Sequence, residues 1–381
     1  MRILCALTYY RPYISGLTIY VERLATALAR RGHYVTVLTS QYDPSLPQRE
    51  VMNGVHVVRA PVVARVSKGV IMPNIGWLAT ALSINHDVMN LHLPQFDAPG
   101  IGLRGRLLRQ PVVLTYNSDL KMPPGMLNRV ANRVIDLANL AAGHLATRVV
   151  ASSHDFADHS PFLRRFREKI EVIPPPVEVE SATPDDIQGF RRRWNLQGPI
   201  IGMAARLASE KGVEILLNAL PRILEVYPNA RVLFTGPHED VLGEQDYARR
   251  LAPLFARFRD HWTFLGTLAP SDMAAFFPNL DVIVVPSLNS TETFGMVQVE
   301  AMLSGTPSVA SALPGVRQPI LQTGMGRVVP IGDSAALATA LLDVLANREH
   351  YVRPRAEIAA KFSTERTAME YERLFMNLAR S

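Results

Sequence analysis

Short apolar runs recur along this chain, each followed by a longer segment whose apolar residues repeat at helical spacing, and that alternation permits few architectures. The first run, Ile3 to Leu7, leads through a loop to Gly16, and Val21, Leu24, Ala25 and Leu28 then share one helical face. Arg30, Arg31 and Gly32 supply a basic last turn and a left-handed cap, after which Tyr34 to Thr39 reads as a second strand. Strand, helix and strand in that order wind a parallel sheet, because parallel neighbours need a crossover. More strands are expected at Val55 to Arg59, Val88 to His92, Val112 to Thr115 and Arg148 to Ala151. Pro174, Pro175 and Pro176 and a polar stretch through Thr183, Pro184, Asp185 and Asp186 read as an interdomain linker. The pattern then resumes at Ile200 to Ala204, Arg231 to Thr235, Trp262 to Leu265, Val282 to Val285 and Ser308 to Ala310. The expected class is α/β, with doubly wound domains over 1–178 and 179–360 and a helix over 361–381 that crosses back to brace the first.

Length supports two domains, since 381 residues exceed the size at which one core stops growing. Cys5 is the only cysteine, which excludes an intramolecular disulfide and a thiolate metal cluster and fits a reducing compartment. Tyr9, Tyr10, Arg11 and Pro12 interrupt the first apolar run before it reaches the length of a signal sequence. A run of about 18 apolar residues occurs nowhere, so a cytoplasmic protein is expected, with any membrane contact peripheral. The net charge of +6 is uneven: residues 1–175 hold 20 Lys+Arg against 11 Asp+Glu, hence +9, and the remainder 20 against 23, hence −3. Arg104, Arg106, Arg109, Arg164, Arg165, Arg167 and Lys169 could meet an anionic membrane or an acidic acceptor. Charge runs more often mark a solvated face.

The stretch from Pro286 to Ala310, PSLNSTETFGMVQVEAMLSGTPSVA, carries the most chemistry. It runs from a strand end through a polar loop into a helix and on to another strand. Glu292 lies in the loop and Glu300 on the helix eight residues later, at most about 12 Å away at the helical rise, roughly the span of a diphosphate between two sugars. Phe294, Gly295, Met296 and Val297 sit where the helix begins; the missing side chain of Gly295 lets a ligand approach backbone N–H groups whose partial positive charge favours phosphate. Read separately, a Glu near a helix start is often a partner for the dipole, and Glu300 could be an exposed helix residue.

Taken together, the spacing, the TFG and the following EAMLSGTPSVA resemble the hallmark of the retaining family 4 glycosyltransferases, also called glycosyl transferases group 1. AARLASEKG at 204–212 resembles another segment of that family, and so do FLG at 264–266, LPGVRQPI at 313–320 and TGMGRVVPIGD at 323–333. The resemblance implies the GT-B fold, two Rossmann-like domains facing each other across a cleft that closes on the donor. It implies a nucleotide diphosphate sugar, UDP-sugar being expected, as co-substrate, with no other cofactor. Arg206 and Lys211 would clamp the diphosphate, Glu292 would bind donor sugar hydroxyls and Glu300 the ribose, and Leu265 and Gly266 would meet the base. Two cations beside a departing diphosphate stabilise charge that grows in the transition state. Arg206 follows an expected parallel strand, at the edge where α/β sites gather.

YYRPYISGLTIYVERLA resembles the family's glycine loop and first helix, with Ser15 preceding Gly16 where a glycine pair is commoner. Gly16 would lie near the donor phosphate or acceptor; standing alone, the loop reads as an ordinary turn. Members of the family commonly carry His-x-Asp after a strand, and TYNSDL at 115–120 has Asn117 in place of that His, with Asp119 retained. Asn117 can exchange hydrogen bonds with a sugar hydroxyl but cannot take a proton. Asp119 orients Asn117 or an acceptor, or serves as a cap. His92, ending a strand, is a second candidate, though a lone His there is more often structural.

The expected reaction is transfer of a hexose-type sugar to the hydroxyl of a glycan, lipid-linked or small-molecule acceptor, with retention of configuration. No Asp-x-Asp pair occurs, and Arg206 and Lys211 supply positive charge, so no metal is expected. Nucleic acid is not an expected partner. A nicotinamide oxidoreductase is disfavoured because no Gly-x-Gly-x-x-Gly follows the first strand and Thr39 and Ser40 end the second. A GT-B sugar-nucleotide epimerase, and a nucleotide-sugar-binding protein with weak or lost transferase activity, are the alternatives.

Overall fold

The computed structural model describes residues 1–66, 69–119, 126–241 and 243–380, and the chain divides into two compact units. Met1–Pro176 and Phe362–Ser381 form the first unit, and Val177–Lys361 the second. The first contains β1 (Arg2–Ala6), α1 (Gly16–Arg30), β2 (Tyr34–Gln41), β3 (Arg49–Met52), β4 (Val55–Pro61), β5 (Ala64–Val66), β6 (Gly69–Ile71), α2 (Ile75–Ser83), β7 (Val88–Leu93), α3 (Ala98–Leu107), β8 (Val112–Tyr116), α4 (Met126–Leu145), β9 (Arg148–Ala151), α5 (His154–His159) and β10 (Ile170–Val172). The order across its large sheet is β10-β9-β8-β7-β1-β2-β4-β3. Every pair is parallel except β3 with β4.

The second unit contains α6 (Pro184–Arg193), β11 (Ile200–Ala204), α7 (Val213–Val226), β12 (Arg231–Thr235), α8 (Gln245–Arg257), β13 (Trp262–Gly266), α9 (Pro270–Phe276), β14 (Val282–Val285), α10 (Met296–Leu303), β15 (Ser308–Ser311), α11 (Gln318–Thr323), β16 (Gly326–Val329), α12 (Ser334–Ala346), α13 (Arg348–Tyr351) and α14 (Arg355–Phe362), the last ending at the divide. Its sheet runs β13-β12-β11-β14-β15-β16, all parallel. Counting only parallel strands, both units have the order 3-2-1-4-5-6 of a Rossmann sheet, the first with a further strand beyond the sixth. The order reverses between β1 and β7 in one unit and between β11 and β14 in the other. In open sheets of this order ligands bind outside the carboxyl ends of the strands at such switch points.

The sheet of the first unit is buried on both faces. Leu4, Met89, Leu91, Leu114 and Tyr116 belong to the core on one face. Asn90, His92 and Thr115 alternate with them and point to the other, where Tyr20 of α1 meets the His92 ring at 5.7 Å between centroids. The final helix, α15 (Thr364–Arg380), packs along α1. Arg31 pairs with Glu365 and Glu372, and the Glu372 carboxylate also meets His33 Nε2 at 2.7 Å.

Two expectations need correction. The polar stretch read as linker is the start of α6: Thr183 accepts the Asp186 N–H at 3.2 Å while the Asp186 carboxylate accepts the Thr183 N–H at 2.9 Å, a capping box that satisfies two orphan donors of the first turn. Lys169 is not part of a solvated basic run. Its ammonium donates to the carbonyls of Gly143, His144 and Ala146 at 3.2, 3.0 and 2.8 Å, closing the end of α4, where the helix dipole favours a cation. No described helix is long and apolar enough to cross a membrane.

Candidate functional site

The sequence-derived site residues fall into two groups, one on each unit, and in both they stand at the carboxyl ends of strands. In the second unit, β11 ends at Ala204 and Arg206 follows two residues on. Its Nη2 donates to Glu210 Oε1 at 2.6 Å. A short turn over Ser209–Lys211 is fixed from outside by buried Glu244, whose carboxylate accepts the Ser209 N–H at 3.0 Å. Gly212 then takes φ +67°, and a Cβ there would lie 2.2 Å from the Pro286 carbonyl oxygen. Only glycine lets the turn press so closely on the loop that leaves β14. The same contact is stitched by the Leu288 N–H, which donates to the Glu210 carbonyl at 2.9 Å.

That approach places Lys211 Nζ 2.7 Å from Glu292 Oε2, joining residues 81 positions apart. The other carboxylate oxygen, Oε1, accepts the N–H of Gly295 at 3.1 Å. Gly295 is the N-cap of α10 with φ +73°. Its N–H is therefore engaged, and the amides that open the helix toward a ligand belong to half-buried Met296 and Val297. Phe294 is buried, and the buried Gln298 amide donates to the Phe294 and Val316 carbonyls, both at 2.8 Å, which fixes the first turn. Glu300 lies half-buried one turn further along α10. Leu265 and Gly266 close β13, and the Gly266 carbonyl accepts from the Gly236 N–H and Thr235 Oγ1, each at 2.9 Å.

In the first unit Ser15 Oγ caps α1 by accepting the Thr18 N–H at 3.2 Å. This is a role for which Ser is better suited than a second glycine, and it explains the departure from a glycine pair. Gly16 is the first helical residue. The loop before it is held by Arg59, a buried guanidinium that pairs with Glu50 and donates to the carbonyls of Pro47 and Arg11 at 2.8 and 2.9 Å. Asn117 follows β8; its Nδ2 donates to the Leu93 carbonyl at 3.1 Å and to that of Thr115 at 3.2 Å, and its backbone N–H to Leu93 at 3.2 Å. Nδ2 of Asn117 is thus turned to two backbone carbonyls, which fixes the side chain at the end of β8. Asp119 Oδ1 accepts from the hydroxyls of Tyr116 and Ser160 at 2.8 and 2.9 Å, so it tethers the loop after β8 to the segment after α5. Burial, followed by the Asp119 charge and hydrogen bond, raises the Tyr116 phenol well above its usual range and keeps it a neutral donor.

Four partners were not legible from motifs: Glu210 on Arg206, Glu244 behind the turn, Arg59 behind the glycine loop, and His238. The His238 ring, which follows β12, stacks on Phe264 of the adjacent strand β13 at 4.4 Å between centroids. Arg59 ends an expected strand, and a charged residue in so apolar a run is a signal that a buried partner is needed.

The geometry can neutralise a diphosphate with two cations at a topological switch point, offer it helix N-terminal amides, and hold a carboxylate against the sugar side. Comparisons with known proteins bear on the family and the fold. A family model described as "Glycosyl transferase 4-like domain" matches residues 15–176, and one described as "Glycosyl transferases group 1" matches residues 198–347. The phosphatidyl-myo-inositol mannosyltransferase of Mycobacterium leprae is 28% identical over 395 residues, covering 100% of this chain and 98% of that protein. Among solved structures, a sucrose-phosphate synthase from Thermosynechococcus elongatus superposes with a TM-score of 0.78 at 23% identity, covering 100% of both chains. The HepE protein of Anabaena in complex with UDP-glucose superposes with a TM-score of 0.79 at 19% identity, covering 99% of this chain and 100% of that one. These last two likenesses concern the fold.

Proposed function

The chain belongs to the group 1 glycosyltransferases and is a glycosyltransferase of GT-B fold, and on that premise we propose that it moves a hexose-type sugar from a UDP-sugar to an acceptor hydroxyl with retention of configuration and without a metal. One observation carries the reading: the Lys211–Glu292 pair at 2.7 Å, with Glu292 also seated on the N–H of the α10 cap, at the switch point of the second sheet. Arg206 and Lys211 take the diphosphate oxygens, and the charge that develops as the nucleotide departs strengthens both contacts. Glu292, relieved of part of its pairing with Lys211, accepts hydrogen bonds from donor sugar hydroxyls. Glu300 holds the ribose, and the backbone at Leu265 and Gly266 meets the base.

Asn117, in the first unit, stands in for the family's His near the acceptor, whose proton passes to a phosphate oxygen as the new bond forms on the face the diphosphate leaves. The amide of Asn117 cannot serve as base, which fits a step in which the leaving group itself takes the proton. The UDP-glucose bound by the HepE protein and the lipid named for the mycobacterial mannosyltransferase motivate a UDP-sugar donor and a lipid-linked acceptor. Calorimetric titration of UDP, GDP and ADP sugars, with and without magnesium, tests the donor site: UDP-sugar binding that is metal-independent and weakened in Glu300→Ala is expected. Absence of binding by every donor would end this assignment. The anomeric configuration of the product, read by NMR, tests retention.

A peripheral place at an anionic membrane is favoured by a separate observation. On α3 and the two helices packed against it, Trp77 of α2, Leu107 of α3 and Leu137 of α4 are 72%, 73% and 67% exposed, and Arg106, Arg109 and Arg133 are exposed as well. Apolar side chains entering the headgroup region and arginines meeting its charge would add. Sedimentation with phosphatidylglycerol vesicles but not phosphatidylcholine vesicles, reversed at high salt, is the expected result.

A further inference from the structure

Five buried polar side chains form one continuous line through the first unit, and four separate stretches of sequence supply it. Tyr20 OH lies 2.8 Å from Tyr371 OH, which lies 2.9 Å from Thr115 Oγ1. Thr115 Oγ1 donates to Asn90 Oδ1 at 2.9 Å, and Asn90 Nδ2 lies 3.1 Å from His92 Nε2. Tyr20 comes from α1, Asn90 and His92 from β7, Thr115 from β8 and Tyr371 from α15; all five are buried.

The proton order follows from donor capacity. Asn90 Oδ1 only accepts, so the Thr115 hydroxyl proton is committed to it. Tyr371 must then donate to Thr115, and Tyr20 to Tyr371. Asn90 Nδ2 donates to His92 Nε2, which puts the imidazole proton on Nδ1, and burial holds the ring neutral by lowering its pKa to about 3. A core built for burial alone would be served by Phe at 20 and 371, since replacing both partners of a buried hydrogen bond by apolar groups is nearly neutral. A network satisfied at every described link but His92 Nδ1, which has no partner among the described residues, instead selects one arrangement of the elements that share it.

What those elements carry gives the network its meaning. Tyr20 is one helical turn after Gly16. Thr115 is two residues before Asn117, and its own carbonyl accepts from the Asn117 amide. His92 precedes Leu93, whose carbonyl accepts both the backbone and side-chain N–H of Asn117. We propose that Tyr371, delivered by the helix that returns from the second unit, is a positioning residue: its hydroxyl ties the turn that bears Gly16 to the strand ends that seat Asn117. The inference rests on the reading of Gly16 and Asn117 as groups that face the reacting sugars.

The test is Tyr371→Phe, which keeps the ring and removes the tie. Tyr20→Phe, which cuts only the link to α1, serves as the second variant should the first fail to fold. Expected are a kcat lower by on the order of tenfold, since small misplacements are costly in rate, with the donor KM within about twofold of wild type. In an Asn117→Ala background Tyr371→Phe should lower kcat no further. Protein labelled with 15N-asparagine gives a readout independent of turnover: the Asn117 side-chain amide pair, assigned by its loss in Asn117→Ala, should shift or broaden in Tyr371→Phe. An unmoved Asn117 pair with unchanged kcat overturns the proposal, as does an equal loss of kcat in both backgrounds. Wild-type protein that transfers no sugar would instead defeat the functional reading, and the amide pair would still decide whether Tyr371 seats Asn117.

Discussion

Lys211 and Glu292 are partners before any donor arrives, and this sets how each should respond to substitution. Lys211→Ala removes a cation aimed at the developing phosphate charge and should cost about 10²–10³-fold in kcat, measured against the best donor and acceptor pair. Glu292→Gln keeps an acceptor for the Gly295 N–H but cancels the charge opposite Lys211; nucleotide alone should still bind, and sugar transfer should fall. If both variants lost UDP binding equally, Glu292 would be a brace for Lys211 and not a sugar ligand. Gly212→Ala is the structural counterpart. Its φ of +67° disfavours any side chain, and the Pro286 oxygen 2.2 Å from the new Cβ is backbone that cannot swing aside. Loss of at least about 2 kcal/mol in denaturant unfolding is expected, with Lys211 displaced. The motif positions named Arg206, Lys211 and Glu292 because cations after a strand and a Glu before a helix carry chemistry that sequence spacing preserves. Glu210 on Arg206 and Glu244 on the Ser209 N–H were invisible for the opposite reason: a surface-type residue reveals its partner only once the chain has folded around it.

At the scale of elements, strand β7 makes a prediction about acid. His92 in the folded chain has a pKa lowered from 6.5 to about 3 by burial, while the unfolded chain protonates near 6.5. Between those values the unfolded state binds the extra proton, so this residue's contribution is intact above pH 6.5 and is lost as pH falls through the window, at about 1.4 kcal/mol per unit. Buried His86, also lowered by burial, acts in the same direction. Urea unfolding at pH 7 and pH 5.5 should therefore show a steeper loss for wild type than for His92→Gln, by about one proton in the slope; equal slopes would mean that His92 is solvated. The central strands were readable because burial on both faces makes them continuous apolar runs bounded by turns. Edge strand β3, Arg49–Met52, was missed since its residues alternate in exposure and contain two charges, although the following Asn53 and Gly54, both at positive φ, are a hairpin turn pair. Helix α6 was taken for a linker because Thr-Pro-Asp-Asp is turn-like by composition; its capping-box spacing was the overlooked signal.

Across the whole molecule the two units differ in how the chain completes them. The second is one continuous segment, Val177–Lys361, with a core of its own around Leu216, Phe234, Val284 and Leu341. The first is discontinuous. Its α1 is covered by a helix that arrives only after the second unit has been made, and Tyr371 and Phe375 of that helix are fully buried. Burial of each such side chain contributes roughly 1.5–3 kcal/mol, so losing the helix removes an amount comparable with the about 5–15 kcal/mol that holds a domain folded. A fragment of residues 177–361 should accordingly unfold in one cooperative thermal transition and bind the donor nucleotide about as tightly as the full chain. A fragment of residues 1–176 should show no cooperative transition, and a peptide of residues 362–380 added to it should restore one. Cooperative unfolding of 1–176 by itself would make α15 a dispensable cover, and the Tyr20–Tyr371 contact would then be a consequence of the fold instead of a condition for it. Restoration by the peptide, but not by the same peptide with Tyr371→Asp, would locate the requirement in that buried contact.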